Sequence, residues 1–245
     1  MKNKICIVMI LVLTAIFAVS TYFLVTESVQ DKEQMDKFES IAQAVEDSGQ
    51  CSDNKYADLY AQNNDFIGWI KIEDTVIDYP VMQSKNIPNF YLNHNFNKEY
   101  SRFGVPYIQE NCSLSSDNII VYGHNMKNKS MFNELTKYKS KDFYNAHRNI
   151  QFDTLTEQRT YAVVCAFKTV VYTSNGFDYY SFVNANTEED FSVYIEKCKA
   201  LSFYDTGVNT EYGDKLITLS TCEYSQNNGR FVVVAKQVGV TAYET

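Results

Sequence analysis

The sequence predicts a mostly β fold, a closed or nearly closed β-barrel with a few added helices. Three observations indicate this class. The 245 residues include 19 tyrosines and 16 phenylalanines beside many Val, Ile and Thr, and these residue types favour strands. Short apolar runs follow one another at close spacing from residue 65 onward. Helical patterns are few in that region, so a sheet that closes on itself is the architecture that best buries the runs.

Composition also excludes several classes of protein. The net charge is −8 and no basic stripe is visible, so nucleic acid is not an expected partner. Nine glycines and three prolines are too few for a fibrous or disordered chain. The six cysteines form no CxxC pair and share no metal-binding spacing with the three histidines. We therefore expect no structural zinc, no required metal and no cofactor.

Residues 5–25 form a nearly unbroken apolar run without a charge. About 20 helical residues cross a bilayer, so the run is long enough for one transmembrane helix. Two lysines precede it and mostly acidic residues follow, so the positive-inside rule predicts a cytoplasmic N-terminus (residues 1–4) and an extracellular remainder. The competing interpretation is a signal peptide cleaved near Ala-Val-Ser at 18–20. The apolar run continues past that site, which favours an uncleaved, single-pass anchor in the cell membrane.

The polar segment 26–64 predicts a helical spacer. Its first half has apolar residues at helical spacing: Met35, Phe38, Ala42 and Val45. Ser48 and Gly49 are expected to end that helix, and a second short helical stretch follows around Leu59. Two interpretations stay open, namely helices that pack on the main domain or a partly ordered stalk. The main domain is predicted to span residues 65–245.

Eight runs of the main domain have strand character. They are rich in apolar, aromatic and β-branched residues, as strands are. The runs are 66–72, 75–81, 103–108, 118–122, 149–154, 159–172, 215–220 and 230–238. Pro80 places the second run at a sheet edge or at a strand end, because proline has no amide hydrogen for a ladder. The fifth and sixth runs predict a hairpin.

Residues 187–201 predict an amphipathic helix between two of the strands. Apolar residues recur there at i, i+3 and i+4: Phe191, Tyr194, Ile195, Cys198 and Leu201. Asn186 and Thr187 are suitable caps, and acidic residues fill the first turn. A shorter helix is predicted at 131–138.

Three chemistry-bearing residues stand where predicted strands begin or end. His124 follows run 118–122 after one glycine. Cys222 follows run 215–220, and Arg230 begins the last run. A lone cysteine is more often a small buried apolar residue, but strand ends gather at one rim of a barrel and could bring these three together. Cysteine beside histidine can supply a thiolate that attacks a carbonyl, and arginine suits an oxyanion, so the combination favours acyl transfer through a thioester.

The motifs around these residues resemble those of the sortases of Gram-positive bacteria. Residues 218–222 read Thr-Leu-Ser-Thr-Cys, and the family pattern is TLxTC followed by an arginine, here Arg230. Tyr-Gly-His-Asn at 122–125 stands upstream, in the family order. The resemblance covers roughly residues 65–238. Class B is indicated by the serine in TLSTC, the helical N-terminal extension and the long helix before the nucleophile strand.

The resemblance implies an eight-stranded sortase barrel and a membrane-anchored cysteine transpeptidase. Cys222 would attack the threonine carbonyl of a C-terminal sorting signal, of the NP type in class B, and cleave the bond after threonine. His124 would protonate the departing amine and deprotonate the incoming one, and Arg230 would hold the substrate and the oxyanion. An amine of peptidoglycan or its precursor would resolve the thioester. In this family the cysteine and histidine are thought to rest mostly in their neutral forms.

Two further residues are candidate substrate contacts. The class B resemblance places Ser220 near the substrate groove, and the alternative is a serine that simply faces the core. Tyr180 belongs to an aromatic cluster that could wall a peptide groove or pack its own loop. The cluster comprises Phe177, Tyr179, Tyr180 and Phe182. Two other functions stay open for the chain: a cysteine peptidase that releases its acyl group to water, and a non-catalytic wall-binding module on the same barrel.

The remaining chemistry-bearing residues are expected to have structural or surface roles. Cys165 and Cys198 lie on apolar stretches and are expected to be core thiols. His94 and His147 lie in polar loops without a motif and are expected at the surface. Glu223 follows the nucleophile and either orders its loop or is simply solvated, with solvation favoured.

Overall fold

Eight β-strands close into one barrel in this computed structural model, which describes residues 2–49, 55–174 and 176–243. The strands are β1 (Phe66–Lys71), β2 (Asp78–Met82), β3 (Tyr107–Ile108), β4 (Asn118–Tyr122), β5 (Asn149–Asp153), β6 (Glu157–Val170), β7 (Leu216–Cys222) and β8 (Gly229–Ala242). Around the barrel they follow the order β1-β2-β3-β4-β7-β8-β6-β5, and β5 pairs with β1 to close it. The mostly β fold class and the closed barrel are thus confirmed, since each predicted run contributes a strand.

Four α-helices and three 3₁₀ helices accompany the barrel in the described part of the chain. They are α1 (Lys2–Gly49), α2 (Ala57–Gln62), α3 (Lys141–Ala146) and α4 (Glu188–Leu201), with 3₁₀ helices at Phe90–Leu92, Asn133–Lys139 and Tyr179–Ser181. The α4 helix begins as predicted, because the side chains of Thr187 and Asp190 each accept a hydrogen bond from the other's amide. The helix predicted at 131–138 is a 3₁₀ helix, and α3 was not predicted because its six residues are too few to show a helical repeat.

Two strands differ from the predicted boundaries. Run 103–108 narrows to the two residues of β3, because Gly104 adopts a left-handed backbone with φ of 56° that a strand cannot contain. Run 75–81 shifts to β2, so Pro80 lies inside the strand rather than at its end. The proline fits because the partner strand β3 reaches β2 only at Met82, so no ladder bond needs the missing amide hydrogen.

The long helix α1 contains the whole apolar run 5–25. Within the described ranges, one helix is long and apolar enough, by length and composition, to cross a membrane, and it is this one. An 18-residue stretch of it has a mean hydropathy of 2.5, and none of that stretch is buried. The helix continues without a break into the predicted spacer and ends at Gly49. Residues 50–54 of that predicted spacer lie outside the described part of the chain.

The barrel core is densest around β6, β7 and β8. All residues of β7 except the last are buried, and so are Phe231–Ala235 of β8. Burying one large apolar side chain contributes about 1.5–3 kcal/mol, so these strands hold much of the stability. The α4 helix lies against β6, and four of the five residues of its predicted apolar face are buried, while Leu201 at the helix end is half-buried. Cys165 and Cys198 are both completely buried, which confirms them as core thiols.

The strand order brings three chain segments to one rim of the barrel. Strands β4 and β7 are parallel, with Tyr122 opposite Ser220, so their carboxyl ends point to the same edge. Strands β7 and β8 are antiparallel, so β8 begins where β7 ends, with Arg230 opposite Cys222. The segment after β4, which starts at Gly123, therefore emerges beside the end of β7. This rim carries the candidate site.

Candidate active site

Cys222 is the last residue of β7 and the first of that strand whose side chain is not buried. Its backbone carbonyl accepts a hydrogen bond from Nδ2 of Asn125, at 2.8 Å. The amide of the next residue, Glu223, donates to the carbonyl of Gly229 at 3.0 Å. The backbone on both sides of the thiol is thus held, while the half-buried side chain reaches the rim. This is a suitable position for a nucleophile, which needs a fixed origin and an accessible sulfur.

His124 is held beside the end of β7 by contacts of its neighbours. The amide of Gly123 donates to the Ser220 carbonyl at 3.1 Å, and Oγ1 of Thr221 donates to the Gly123 carbonyl at 2.7 Å. A side chain at position 123 would meet the Phe132 ring at 2.6 Å, so only glycine allows this packing. The Phe132 amide in turn donates to the His124 carbonyl at 2.8 Å. The histidine is therefore fixed through the backbone on both sides.

The imidazole of His124 is half-buried and contacts a third chain segment. Its Nε2 lies 2.7 Å from the backbone carbonyl oxygen of Leu92, the last residue of the 3₁₀ helix Phe90–Leu92. Nothing in the sequence pointed to Leu92, because a backbone carbonyl has no residue type to recognise. The contact joins the loop before β3 to the loop after β4 at the site.

Arg230 begins β8 directly opposite Cys222 in the sheet. Its guanidinium is half-buried, and Nη1 donates to the Gly229 carbonyl at 2.9 Å. No carboxylate among the residues that the structure describes forms a salt bridge with it. Most of the guanidinium's five N–H donors are therefore available to a ligand, and an arginine stays cationic at any relevant pH. The arrangement places a cationic donor next to the thiol.

These residues share a groove of about 590 Å³. All five residues proposed from the sequence line it: His124, Ser220, Cys222, Arg230 and Tyr180. Other side chains of the wall come from the loops around the rim: Asn89, Leu92, Tyr107, Gln109, Tyr122, Tyr172 and Tyr179. The groove is of the size that proteins use for small ligands and short peptide segments.

Ser220 is 1% exposed, and its hydroxyl is engaged within the protein. Its Oγ lies 2.6 Å from the hydroxyl of the buried Tyr179. Burial raises the pKa of Tyr179 to about 12, so this phenol stays neutral at working pH. Tyr180 is more accessible, and its hydroxyl donates to the Asp178 carboxylate at 2.9 Å. Both residues line the groove, but Tyr180 is the more exposed of the two, and Ser220 is nearly buried with its hydroxyl hydrogen-bonded to Tyr179.

The aromatic cluster before α4 divides between the groove and the packing of its own loop. Tyr179 and Tyr180 line the groove, with their rings edge to face at 5.6 Å. Phe177 and Phe182 instead pack on Tyr194 of α4, at centroid distances of 5.9 Å and 4.0 Å. The loop is thus fastened to the helix on one side and offers two tyrosines to the groove on the other.

A polar wall of the groove was not foreseen from the sequence. The hydroxyl of Tyr122 donates to Oε1 of Gln109, and Nε2 of Gln109 donates to the Tyr180 carbonyl at 3.0 Å. Beside it, the Tyr107 hydroxyl donates to Oδ1 of Asn89 at 2.9 Å. Burial raises the pKa of both Tyr107 and Tyr122 above the ordinary tyrosine value, so these phenols stay neutral. Neutral donors and acceptors of this kind suit the amides of a bound peptide.

The loop after Cys222 is ordered by Glu223. Its carboxylate accepts hydrogen bonds from Lys168, at 2.7 Å, and from Ser225. Partial burial acts to raise the pKa of Glu223, but these hydrogen bonds outweigh it and hold the pKa below its usual value. The loop is further tied by Tyr224, whose hydroxyl donates to the Asn125 carbonyl at 3.0 Å. Glu223 therefore orders its loop, the interpretation that the sequence favoured less.

The other two histidines lie away from the groove and are partly buried rather than fully at the surface. Nδ1 of His94 is 2.7 Å from the Phe90 carbonyl, and Nδ1 of His147 is 2.9 Å from the Glu73 carbonyl. Within the described residues, no group of three or more His, Cys, Asp or Glu side chains is arranged to hold a metal ion.

Known proteins share this architecture. The family model for the sortase domain matches residues 70–238. Sortase B of Staphylococcus aureus (strain NCTC 8325 / PS 47) is 31% identical over 249 residues, covering 98% of this chain and 99% of that protein. Sortase B of Listeria monocytogenes serovar 1/2a is 36% identical over 186 residues, or 74% of this chain and 73% of that protein. A solved Staphylococcus aureus sortase B-substrate complex gives a TM-score of 0.77 at 30% identity, covering 86% of this chain and 98% of that one.

Proposed function

The chain belongs to the sortase family, in its class B, and on this premise we propose that it joins secreted surface proteins to peptidoglycan through a thioester on Cys222. At the level of the family it is a cysteine transpeptidase that sorts proteins to the cell wall. One observation supports the residue assignment most strongly. The register that pairs Cys222 with Arg230, and the parallel strand that delivers His124, bring thiol, guanidinium and imidazole to one groove.

In the first half-reaction, Sγ of Cys222 attacks the threonine carbonyl of the sorting signal. The carbonyl oxygen becomes an oxyanion, and Arg230 donates hydrogen bonds to it. Such a donor typically contributes about 10²–10³ in rate. The C–N bond after the threonine then breaks, His124 gives its proton to the leaving amine, and a thioester remains.

In the second half-reaction, an amine of peptidoglycan or of its precursor attacks the thioester. His124 takes the proton that the amine loses, the new amide forms, and the Cys222 sulfur leaves and regains a proton. The groove supports a peptide substrate, since tyrosines and neutral amides line it beside the nucleophile. We assign both Tyr180 and Ser220 to contact with the sorting peptide, because both line the groove beside Cys222, and the Ser220 hydroxyl is oriented by its hydrogen bond with Tyr179.

Sortases are expected at the cell surface, and this location is consistent with a membrane anchor in α1. We propose that residues 5–25 cross the membrane once, with residues 1–4 in the cytoplasm. Residues 26–64 would then act as a helical spacer, and residues 65–245 as an extracellular catalytic domain. The support is the exposed, uncharged apolar surface of residues 5–25 together with Lys2 and Lys4, which precede this run.

The test is an assay of the full chain in detergent with a fluorogenic NP-type sorting peptide, with and without triglycine as the amine. We expect cleavage, a trapped thioester on Cys222 and an amide product that grows with triglycine concentration. Product that stays the same with and without the amine would point to a peptidase that uses water.

The matched variants are Cys222→Ala and Cys112→Ala. Cys112 is buried and its side chain does not line the groove, and burial raises the pKa of its thiol to about 11, so it is a suitable unreactive control. We expect Cys222→Ala to lose all cleavage and thioester trapping, and Cys112→Ala to retain both. Trapping that survives in Cys222→Ala would overturn the mechanism and favour a wall-binding module with adventitious reactivity.

A further inference from the structure

We propose that the backbone carbonyl of Leu92 orients the catalytic imidazole, so that Nε2 of His124 keeps one proton throughout while Nδ1 exchanges protons with the reactants. The inference deepens the proposed function and rests on it, because it names which nitrogen acts as acid and base. It also assigns a positioning role to Gly104, which lies 20 residues before His124 in the chain.

The hydrogen bond to Leu92 determines the tautomer. Nε2 of His124 is 2.7 Å from the Leu92 carbonyl oxygen. A carbonyl oxygen only accepts, so Nε2 must carry the hydrogen. A neutral imidazole that is protonated at Nε2 has its lone pair on Nδ1. Nδ1 has no hydrogen-bond partner among the residues that the structure describes, and His124 lines the groove, so this nitrogen is free to take a proton there.

The other two histidines have the opposite arrangement. In both His94 and His147 it is Nδ1 that faces a backbone carbonyl, at 2.7 Å and 2.9 Å. The same argument assigns them the tautomer with the hydrogen on Nδ1. The protein thus contains two internal references for one measurement, and His124 is the histidine that differs.

The position of the Leu92 carbonyl is set by close packing against Gly104. A Cβ atom built at Gly104 would lie 2.5 Å from the Leu92 oxygen and 2.4 Å from the Tyr91 oxygen. The Tyr91 carbonyl also accepts a hydrogen bond from the Val105 amide at 3.0 Å, so the two segments are joined at this point. Any side chain at position 104 must therefore displace the carbonyl that holds His124.

The proton balance of the reaction follows from this geometry. As the Cys222 sulfur bonds to the threonine carbonyl carbon, its proton passes to Nδ1 of His124. The same proton goes from Nδ1 to the leaving nitrogen as the C–N bond breaks. In the second half-reaction Nδ1 takes a proton from the incoming amine and returns it to the departing sulfur. Nε2–H stays bonded to Leu92 in every step, as the orienting partner does in a catalytic triad.

The direct test reads the tautomers by NMR, on the full chain in detergent with ¹⁵N-labelled histidine. Long-range ¹H–¹⁵N correlations at about pH 8.5, above the ordinary titration range of histidine, distinguish the two neutral tautomers. His94→Gln and His147→Gln assign the signals. We expect Nε2–H for His124 and Nδ1–H for the other two, and Nδ1–H for His124 would overturn the proposal. The NMR measurement needs no substrate, so an Nδ1–H tautomer at His124 would contradict this inference without contradicting the transpeptidase proposal. Conversely, an enzyme that shows no transpeptidation would not change the tautomer result.

The second test compares Gly104→Ala with Gly207→Ala. Both glycines have left-handed backbones, with φ of 56° and 74°, but nothing lies within 4 Å of a Cβ at Gly207. We expect Gly104→Ala to lower kcat about 10- to 100-fold with little change in KM, as small misplacements of catalytic groups do, and to mix the His124 tautomers. Gly207→Ala should stay within about twofold of wild type.

Two outcomes of this comparison would contradict the proposal. One is a folded Gly104→Ala enzyme with wild-type kcat and an unchanged His124 signal. The other is an equal loss of kcat in both glycine variants, which would indicate backbone strain rather than displacement of the carbonyl. If thermal melting shows that Gly104→Ala does not fold, the tautomer of the wild-type protein decides the question.

Discussion

The two sides of the candidate active site are held in place by different interactions. Cys222 and Arg230 are neighbours because two adjacent strands, β7 and β8, pair in one register. His124 lies outside any strand and reaches the site through individual hydrogen bonds, including that from Asn125 to the Cys222 carbonyl and that to the Leu92 carbonyl. One side is fixed by a buried sheet, and the other by a few polar contacts between loops.

The difference has an energetic consequence. Many apolar side chains stabilise the register of β7 and β8, so removing one polar side chain there changes the chemistry and leaves the geometry intact. On the loop side each hydrogen bond contributes about 1 kcal/mol, so we expect the loss of one to shift His124. A substitution on the sheet side should therefore remove a reacting group without moving the others. A substitution on the loop side should instead move His124 out of alignment with Cys222.

The largest effect expected beyond the nucleophile itself is that of Arg230→Ala. We expect kcat to fall about 10²–10³-fold, because a charged donor to the oxyanion is lost. The urea midpoint of unfolding should hardly change, since the side chain's internal hydrogen bond is only to the neighbouring Gly229 carbonyl. Peptide turnover and equilibrium unfolding of the same preparation check both statements.

Arg148→Ala is the matched control for this prediction. Arg148 is exposed, lies outside the groove and donates to Asn145 at 2.9 Å, so its removal should leave kcat unchanged. Arg230→Lys should restore part of the rate, because lysine keeps the charge but not the planar fork of donors. An Arg230→Ala enzyme with near wild-type turnover would remove Arg230 from the mechanism.

A smaller effect is expected for Asn125→Ala, on the loop side. Nδ2 of Asn125 donates to the Cys222 carbonyl at 2.8 Å, and its Oδ1 accepts from Asn133 at 2.6 Å. Without this link the loop that carries His124 is no longer tied to the nucleophile. We expect kcat to fall about tenfold with KM nearly unchanged, and stability to fall by about 1 kcal/mol.

Asn128→Ala is the control on the same loop. Within the described part of the chain, the side chain of Asn128 hydrogen-bonds only to Ser130 of the same loop. It should lose a similar amount of stability but retain kcat. If the two variants lose the same activity, Asn125 acts through general loop stability and the comparison of the two sides fails.

The same division explains what the sequence could predict. Strand ends are visible as apolar runs that stop, so Cys222, Arg230 and His124 could be placed at a common rim from the pattern alone. Gly123 could also be identified from the sequence. The requirement for glycine at this position could not, because it comes from the tertiary packing of the Phe132 ring against it. The sheet side of the site was thus largely predictable.

The loop side was not predictable to the same degree. The Leu92 carbonyl and the amide of Gln109 come from connections far from the motifs in the chain, and such groups carry no periodic signal. Ser220 was predicted to contact the substrate and it lines the groove, but its buried hydrogen bond to Tyr179 could not be foreseen from the sequence. Contacts between residues on different loops can be identified only once the conformations of those loops are known.

The smallest effect is expected for the Lys168–Glu223 ion pair, which stabilises the loop after Cys222. The pKa of Glu223 is lower in the folded protein than its ordinary value of 4.5, so the ionised carboxylate favours the folded state. This stabilisation is complete above about pH 4.5 and is lost as the pH falls through the lowered folded pKa. It should amount to less than about 1 kcal/mol, because the Lys168 side chain is 41% exposed and solvent screens the pair.

Glu223→Gln tests this contribution against Asp117→Asn, at the other end of β7. The pKa of Asp117 is also lowered, since its hydrogen bonds from Lys215 and the Ala185 amide outweigh the opposing effect of burial. Urea unfolding should show each variant less stable than wild type at pH 7, with the difference shrinking below about pH 4. Only Glu223→Gln should also lower kcat, by about two- to threefold, because only that pair adjoins the thiol. An equal loss of kcat in Asp117→Asn would mean that the sheet transmits such changes along β7, and the sheet side would then be no more rigid than the loop side.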